Sequence, residues 1–204
     1  MARERLARAR GIGNDAAVTG PALPWRPEFL AALRMLARAS EGLAQRGYSR
    51  PVLVGGGAVE FYTGSAIMTG DIDITTPVQP ELEEELQKLG FVRPSGPGKS
   101  TRGWIHPDIG LGFEVVGSSP MGGSVPATRL AMIRAIPNEP ELVVLSVEDM
   151  IADRMGQYAS GTAREMIDQA RTLFGLNVAL DIDYLDGRIR EESVGDYGVE
   201  DLEA

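Results

Sequence analysis

The sequence predicts an α/β fold, and three observations carry that prediction. An apolar run, Val52-Leu53-Val54, enters three glycines, Gly55-Gly56-Gly57, which reads as a strand, a tight turn and a short helix. A second strand follows at once and carries Asp71-Ile72-Asp73-Ile74. Farther along, short apolar runs folded about Pro, Gly and Asn turns are succeeded by stretches of helical period.

The chain has 204 residues, 43% of them hydrophobic, enough for one domain with a real core and at most a small appendage. It has no cysteine, which excludes disulfides and thiolate metal sites. Arg3, Arg5, Arg8 and Arg10 precede no apolar run, so no secretory signal is read, and no segment is long enough to span a membrane. A cytoplasmic protein is expected.

Residues 1–27 mix Arg, Gly, Ala and Pro without a period and read as a flexible arm. The stripe Phe29, Leu30, Leu33, Leu36, Ala37, Leu43 and Ala44 predicts a helix over 28–45, interrupted only by the small Ser40, with Gly47 ending it. Residues 80–89 predict another helix from Leu82, Leu86 and Leu89, and its run of glutamates reads as a solvated face. The loop 95–100, SGPGKS, lacks the spacing of a phosphate-binding P-loop. Segments 102–106 and 111–116 predict a hairpin about Pro107–Gly110, and 129–136 with 142–145 predict another. A glycine-rich loop, 117–128, lies between them. Ser146 with Asp149 has the spacing of a capping box and starts a helix to about Tyr158. A further helix covers 163–174. The domain is thus read as 28–180, helical over 146–180, followed by an acidic tail, 181–204.

That tail holds nine acids against two bases, a net −7 of the chain's −9, leaving −2 for residues 1–180. It suits a protein partner. Its last part, 191–204, offers only Val194, Tyr197, Val199 and Leu202 for burial, so deleting it is expected to leave stability nearly unchanged. An acidic chain is a poor match for avid nucleic-acid binding, which rests on neutralising phosphates.

The chemistry centres on Asp71 and Asp73. Alternation puts both on one face of a strand, about 7 Å apart at Cα. Two same-face charges among apolar residues are costly unless something compensates them. A third acid, Glu114, sits inside the apolar run Phe113-Glu114-Val115. Hard carboxylate oxygens suit a divalent cation, and glycines before a helix suit phosphate. The combination describes a site for a metal-nucleotide.

These residues resemble the nucleotidyltransferase superfamily: Gly-Gly, a helix, hydrophobic-Asp-X-Asp-hydrophobic, then a distant acid in an apolar strand. The run Leu145-Ser146-Val147-Glu148-Asp149, continuing to Arg154, is similar to the single-domain prokaryotic branch that includes abortive-infection and toxin–antitoxin enzymes. The resemblance covers roughly residues 50–175. It implies an α/β (α+β) fold, with a mixed sheet flanked by helices and a helical C-terminal part over the cleft. It also implies transfer of an NMP from an NTP to an acceptor hydroxyl with loss of pyrophosphate. Asp71, Asp73 and Glu114 would hold Mg²⁺ or Mn²⁺, and Glu114 would help deprotonate the acceptor. Gly56 and Gly57 would admit the phosphates. The acceptor stays open between RNA, protein and a small molecule.

The chain departs from the family at Gly57, where a serine is usual, and at Arg154, where lysine is frequent. Arg154 has two readings, a phosphate ligand or the partner of a structural carboxylate. Asp168 is expected to pair with Arg164 or Arg171, and His106 to be structural. Two other readings stay open. A dinucleotide-binding domain is disfavoured because Glu60 stands at its third glycine position. A catalytically weak member of the same fold would serve as a nucleotide sensor or antitoxin-like partner.

Overall fold

The backbone of α1 begins at Pro27, whose missing N–H costs nothing in the first turn. This helix, Pro27–Gln45, buries Phe29, Leu33, Leu36 and Leu43 along one side. Ser40, which breaks the stripe, is buried with them and accepts a hydrogen bond from Arg50 Nη1 at 3.2 Å. The computed structural model describes residues 23–94 and 103–203. Most of the expected N-terminal arm and the SGPGKS loop lie outside the described residues.

Among the described residues six strands form one mixed sheet in the order β3-β4-β2-β1-β6-β5. They are β1 Val52–Val54, β2 Asp71–Thr75, β3 Trp104–Ile105, β4 Gly112–Gly117, β5 Ala131–Ile133 and β6 Leu142–Val144. The β1–β6 and β2–β4 pairs are parallel, and the β1–β2, β3–β4 and β5–β6 pairs are antiparallel. Both expected hairpins are present. The central strands are the most apolar: Leu53, Ile72, Ile74 and Val144 are fully buried.

Among the described residues five more α-helices follow: α2 Gly55–Thr63, α3 Gln79–Lys88, α4 Val147–Ala159, α5 Met166–Leu176 and α6 Ile182–Glu192. Helix α1 packs on α3 and β6, and α2 joins β1 and β2 to α4 and α5. The glycines do not form a separate turn. Helix α2 starts at Gly55 directly from the extended Val54, and ends on left-handed Gly64. Ser146 caps α4, its hydroxyl accepting the Asp149 N–H at 3.0 Å.

The acidic tail is corrected by the structure. Residues 182–192 are helix α6, and Leu185, Ile189 and Leu202 enter the core. Arg188, 5% exposed, donates from Nε to the fully buried Asp149 at 2.9 Å. Arg171 donates to the carbonyl of Asp201 at 3.0 Å. Asp183 and Glu191 are exposed on the outer side of α6, while Leu185, Arg188 and Ile189 are buried on the side that faces α4. Removing 191–204 therefore strips buried Leu202 and Ser193 from the body, contrary to the expectation above.

Candidate functional site

The sheet register brings the three acids together. In the parallel β2–β4 pair, Asp73 lies directly opposite Glu114, and Asp71 opposite Gly112. Neighbouring strands are about 4.8 Å apart and alternate residues about 7 Å, so the three Cα atoms fall within roughly 8 Å of one another. Ile72 and Ile74, on the other face, are fully buried. The alternation thus puts the acids on the open face. Burial pushes the Asp73 carboxyl up, and the charges of Asp71 and Glu114 push it further, against the Gly56 N–H and Arg154. This is the electrostatic signature of a carboxylate group gathered without enough positive charge.

The glycines sit beside this row because β1 ends there: Val54 pairs with Asp73, and α2 begins at the next residue. Each glycine is required by a different neighbour. Gly55 has φ +58, and a Cβ there would lie 2.2 Å from Asp73 Oδ2. A Cβ at Gly56 would lie 2.5 Å from Thr69 Oγ1, and one at Gly57 would lie 2.8 Å from Leu53 Cδ1. Gly55 and Gly56 line the cleft. Gly57 does not; its Cα faces the core, so it serves the packing of α2 on the sheet.

The cleft has a volume of about 620 Å³ and lies between the sheet, the loop after β4 and the second half of α4. Asp73 and Thr75 form its floor, Ser118, Ser119 and Met121 one lip, and Asp153, Arg154 and Gln157 the wall on α4. Arg154 is 7% exposed. Its Nη2 is 3.0 Å from Asp153, its Nη1 reaches Met166 Sδ at 3.2 Å, and its Nε has no hydrogen-bond partner among the described residues. Burial pushes the Asp153 carboxyl up, opposed by Arg154 and by Gln157, whose Nε2 donates at 2.8 Å. A smaller hollow of about 230 Å³ adjoins the row on the side of β3, lined by Asp71, Trp104 and Glu114. The carboxylates stand between the two spaces.

Asp71, Asp73, Glu114, Gly56 and Arg154 are thus gathered at one place, and Gly57 stands behind it. Sequence reading missed Gly55, Thr75, Asp153 and Gln157. The last two are four residues apart on the α4 face that carries Arg154, a signal visible in the sequence. Thr75 gave none. Asp168 is exposed and makes no ion pair among the described residues, because Arg171 turns to Asp201 instead. His106 holds its turn, Nδ1 accepting the Asp108 N–H at 3.1 Å, and packs on Phe91.

No protein-family profile and no curated protein matches the chain. Solved structures do. A nucleotidyltransferase-like antigenic protein from Paracoccidioides brasiliensis superposes with a TM-score of 0.55 at 15% identity, covering 87% of this chain and 93% of that one. The chain has a nucleotidyltransferase fold. ANT(2'')-Ia, in complex with adenylyl-2''-tobramycin, shares this fold with a TM-score of 0.51 at 19% identity, over 81% of this chain and 98% of that one. In the nucleotidyltransferase fold of this chain, the described residues include no helix long and apolar enough to cross a membrane.

Proposed function

We propose that the chain is a metal-dependent nucleotidyltransferase that moves an NMP from an NTP to an acceptor hydroxyl. The observation that carries this reading is the pairing of Asp73 with Glu114 across β2 and β4, with Asp71 on the same face and the start of α2 beside them. Among the described residues no group of three His, Cys, Asp or Glu side chains is placed to hold a metal ion by itself. An open carboxylate row still fits Mg²⁺, which is bound by one or two carboxylates together with substrate phosphates rather than by an all-protein cage. Hard oxygen donors and the unbalanced charge at Asp73 suit such a cation.

Asp71 and Asp73 would hold the ion with Glu114 beside them, and the ion would neutralise charge on the phosphates. The N-terminus of α2 lies at Gly55 and Gly56, where the positive end of a helix suits an anion, and the Gly56 N–H already serves the Asp73 carboxylate. Arg154 brings a cation to the opposite wall. Glu114 accepts the proton of the acceptor hydroxyl. The acceptor oxygen then bonds to the α-phosphorus as the bond to pyrophosphate breaks, and the chain's contribution is placement and charge. The smaller hollow beside Asp71 and Glu114 gives the acceptor a separate approach.

A sensor reading draws on Gly57, which lacks the serine hydroxyl usual in the resembled family and where an added Cβ would lie 2.8 Å from Leu53 Cδ1. One experiment separates the two. Each labelled NTP is incubated with Mg²⁺ and with RNA, lysate or tobramycin, whose adenylyl derivative is bound in ANT(2'')-Ia. Transfer to one acceptor, abolished in Asp71→Asn, supports the enzyme. Tight NTP binding with no transfer to any acceptor supports the sensor.

A further inference from the structure

Glu60 is fully buried on α2, one turn before its end. Its carboxylate accepts four hydrogen bonds. Oε1 takes Arg26 Nε at 2.7 Å and Ser65 Oγ at 2.8 Å. Oε2 takes Arg26 Nη2 at 3.1 Å and the Thr69 N–H at 2.7 Å. Arg26 Nη2 also donates to the carbonyl of Thr69 at 2.6 Å. The ion pair therefore grips both the N–H and the C=O of Thr69. The side chain of Thr69 touches both halves of the proposed site: its hydroxyl is 3.4 Å from Asp71 Oδ1 and lies against the Cα of Gly56.

Stability alone is a poor reason for this arrangement. A buried ion pair gives back much of its attraction as desolvation, and apolar replacements of the same shape are often as stable. What the pair supplies is a fixed place for one residue, two positions before Asp71.

We propose that Arg26 and Glu60 are positioning residues for the metal-holding carboxylate, acting through Thr69. The pair sets the height of the Thr69 peptide, and the Thr69 hydroxyl sets the rotamer of Asp71 toward Asp73. This inference rests on the reading of Asp71 as a metal ligand.

The test is Mn²⁺ binding to the full chain, followed by electron paramagnetic resonance in the presence of a non-hydrolysable ATP analogue. Thr69→Val removes the hydroxyl and keeps the branched shape. It should weaken Mn²⁺ binding about threefold to tenfold, the range of one weak hydrogen bond, with an unchanged melting temperature. Thr69→Ser should restore affinity to within about twofold of the wild type by the same estimate. Glu60→Gln should weaken Mn²⁺ at least as much as Thr69→Val, and wild-type affinity in Glu60→Gln overturns the role of the pair. If that variant does not fold, Arg26→Lys, which keeps the charge but loses the fork that holds both Glu60 and the Thr69 carbonyl, makes the same test. Wild-type affinity in Thr69→Val, with binding lost in Asp71→Asn, overturns the positioning role alone. Wild-type affinity in Asp71→Asn removes Asp71 from the metal site, and the inference falls with that reading.

Discussion

Replacing Arg188 by Met should cost the fold about 3 kcal/mol, at the lower end of the range for breaking a buried ion pair. Met keeps an apolar stem in the slot between α4 and α6 and removes only the guanidinium. Asp149 is then left fully buried without its cation. It keeps the Tyr184 hydroxyl at 3.0 Å and the Ser146 hydroxyl at 2.6 Å, and it stays at the positive end of α4. These partners place the loss at the lower end. Glu192, at 27% side-chain exposure, turns to water instead of being stranded. For a chain of this size the melting temperature should fall by roughly 6–12 °C. Urea unfolding followed by circular dichroism measures the loss directly. Asp149→Asn alone should cost less, because Arg188 keeps Glu191 and Glu192. The double variant should then be more stable than the sum of the single losses implies, since neither charge is stranded. A loss below about 1 kcal/mol in Arg188→Met, or strict additivity in the double variant, would refute the claim that this pair ties α6 to the body.

Three further outcomes are expected. Arg154→Met should lower NTP affinity by about 1.5–3 kcal/mol, the value of a charge-assisted hydrogen bond, while the melting temperature holds, because its neighbour Asp153 keeps Gln157; calorimetric titration that finds unchanged affinity removes Arg154 from the nucleotide site. Deleting 191–204 should lower the melting temperature measurably, because Leu202 and Ser193 are buried; an unchanged melting curve would mean that this segment adds nothing to the fold. At Glu60, burial pushes the carboxyl up, but Arg26, the Thr69 N–H and Ser65 outweigh it and hold the group below the usual range. Its contribution is therefore complete above about pH 4.3, the unfolded value, and is lost as pH falls through the lower folded value. Urea midpoints taken down that interval should fall more steeply in the wild type than in Glu60→Gln, and parallel curves would contradict the assignment.

The parts of the fold that follow from local pattern were legible in the sequence. The period-two spacing of Asp71 and Asp73 and the apolar setting of Glu114 were enough to place three acids on one face. The stripes of α1 and α4 marked those helices. What could not be read was set by distant neighbours. Gly57 looks like its two predecessors, and only the approach of Leu53 shows that it packs rather than opens the cleft. Helix α6 was hidden because its stripe, Leu185, Arg188 and Ile189, has a charge at its centre. The reason for that charge, Asp149, lies 39 residues earlier. Thr69 carries no sequence signal, since its role depends on Glu60 and Arg26 closing on its backbone.

Arg188 also reaches the loop that bears the lip of the cleft, its Nη2 lying 3.6 Å from Met121 Sδ and donating to Ser124 Oγ at 3.2 Å. Arg188 and Ser124 are 64 positions apart, and Arg188 leaves the ribosome later. The residues of the carboxylate row, the start of α2 and the α4 wall are therefore all synthesised before the residue that anchors the lip. Released chains ending before residue 182 should therefore be cut by protease in the 118–124 loop, and chains carrying α6 should resist. The order of synthesis would make the last helix the step that fixes the lip of the cleft.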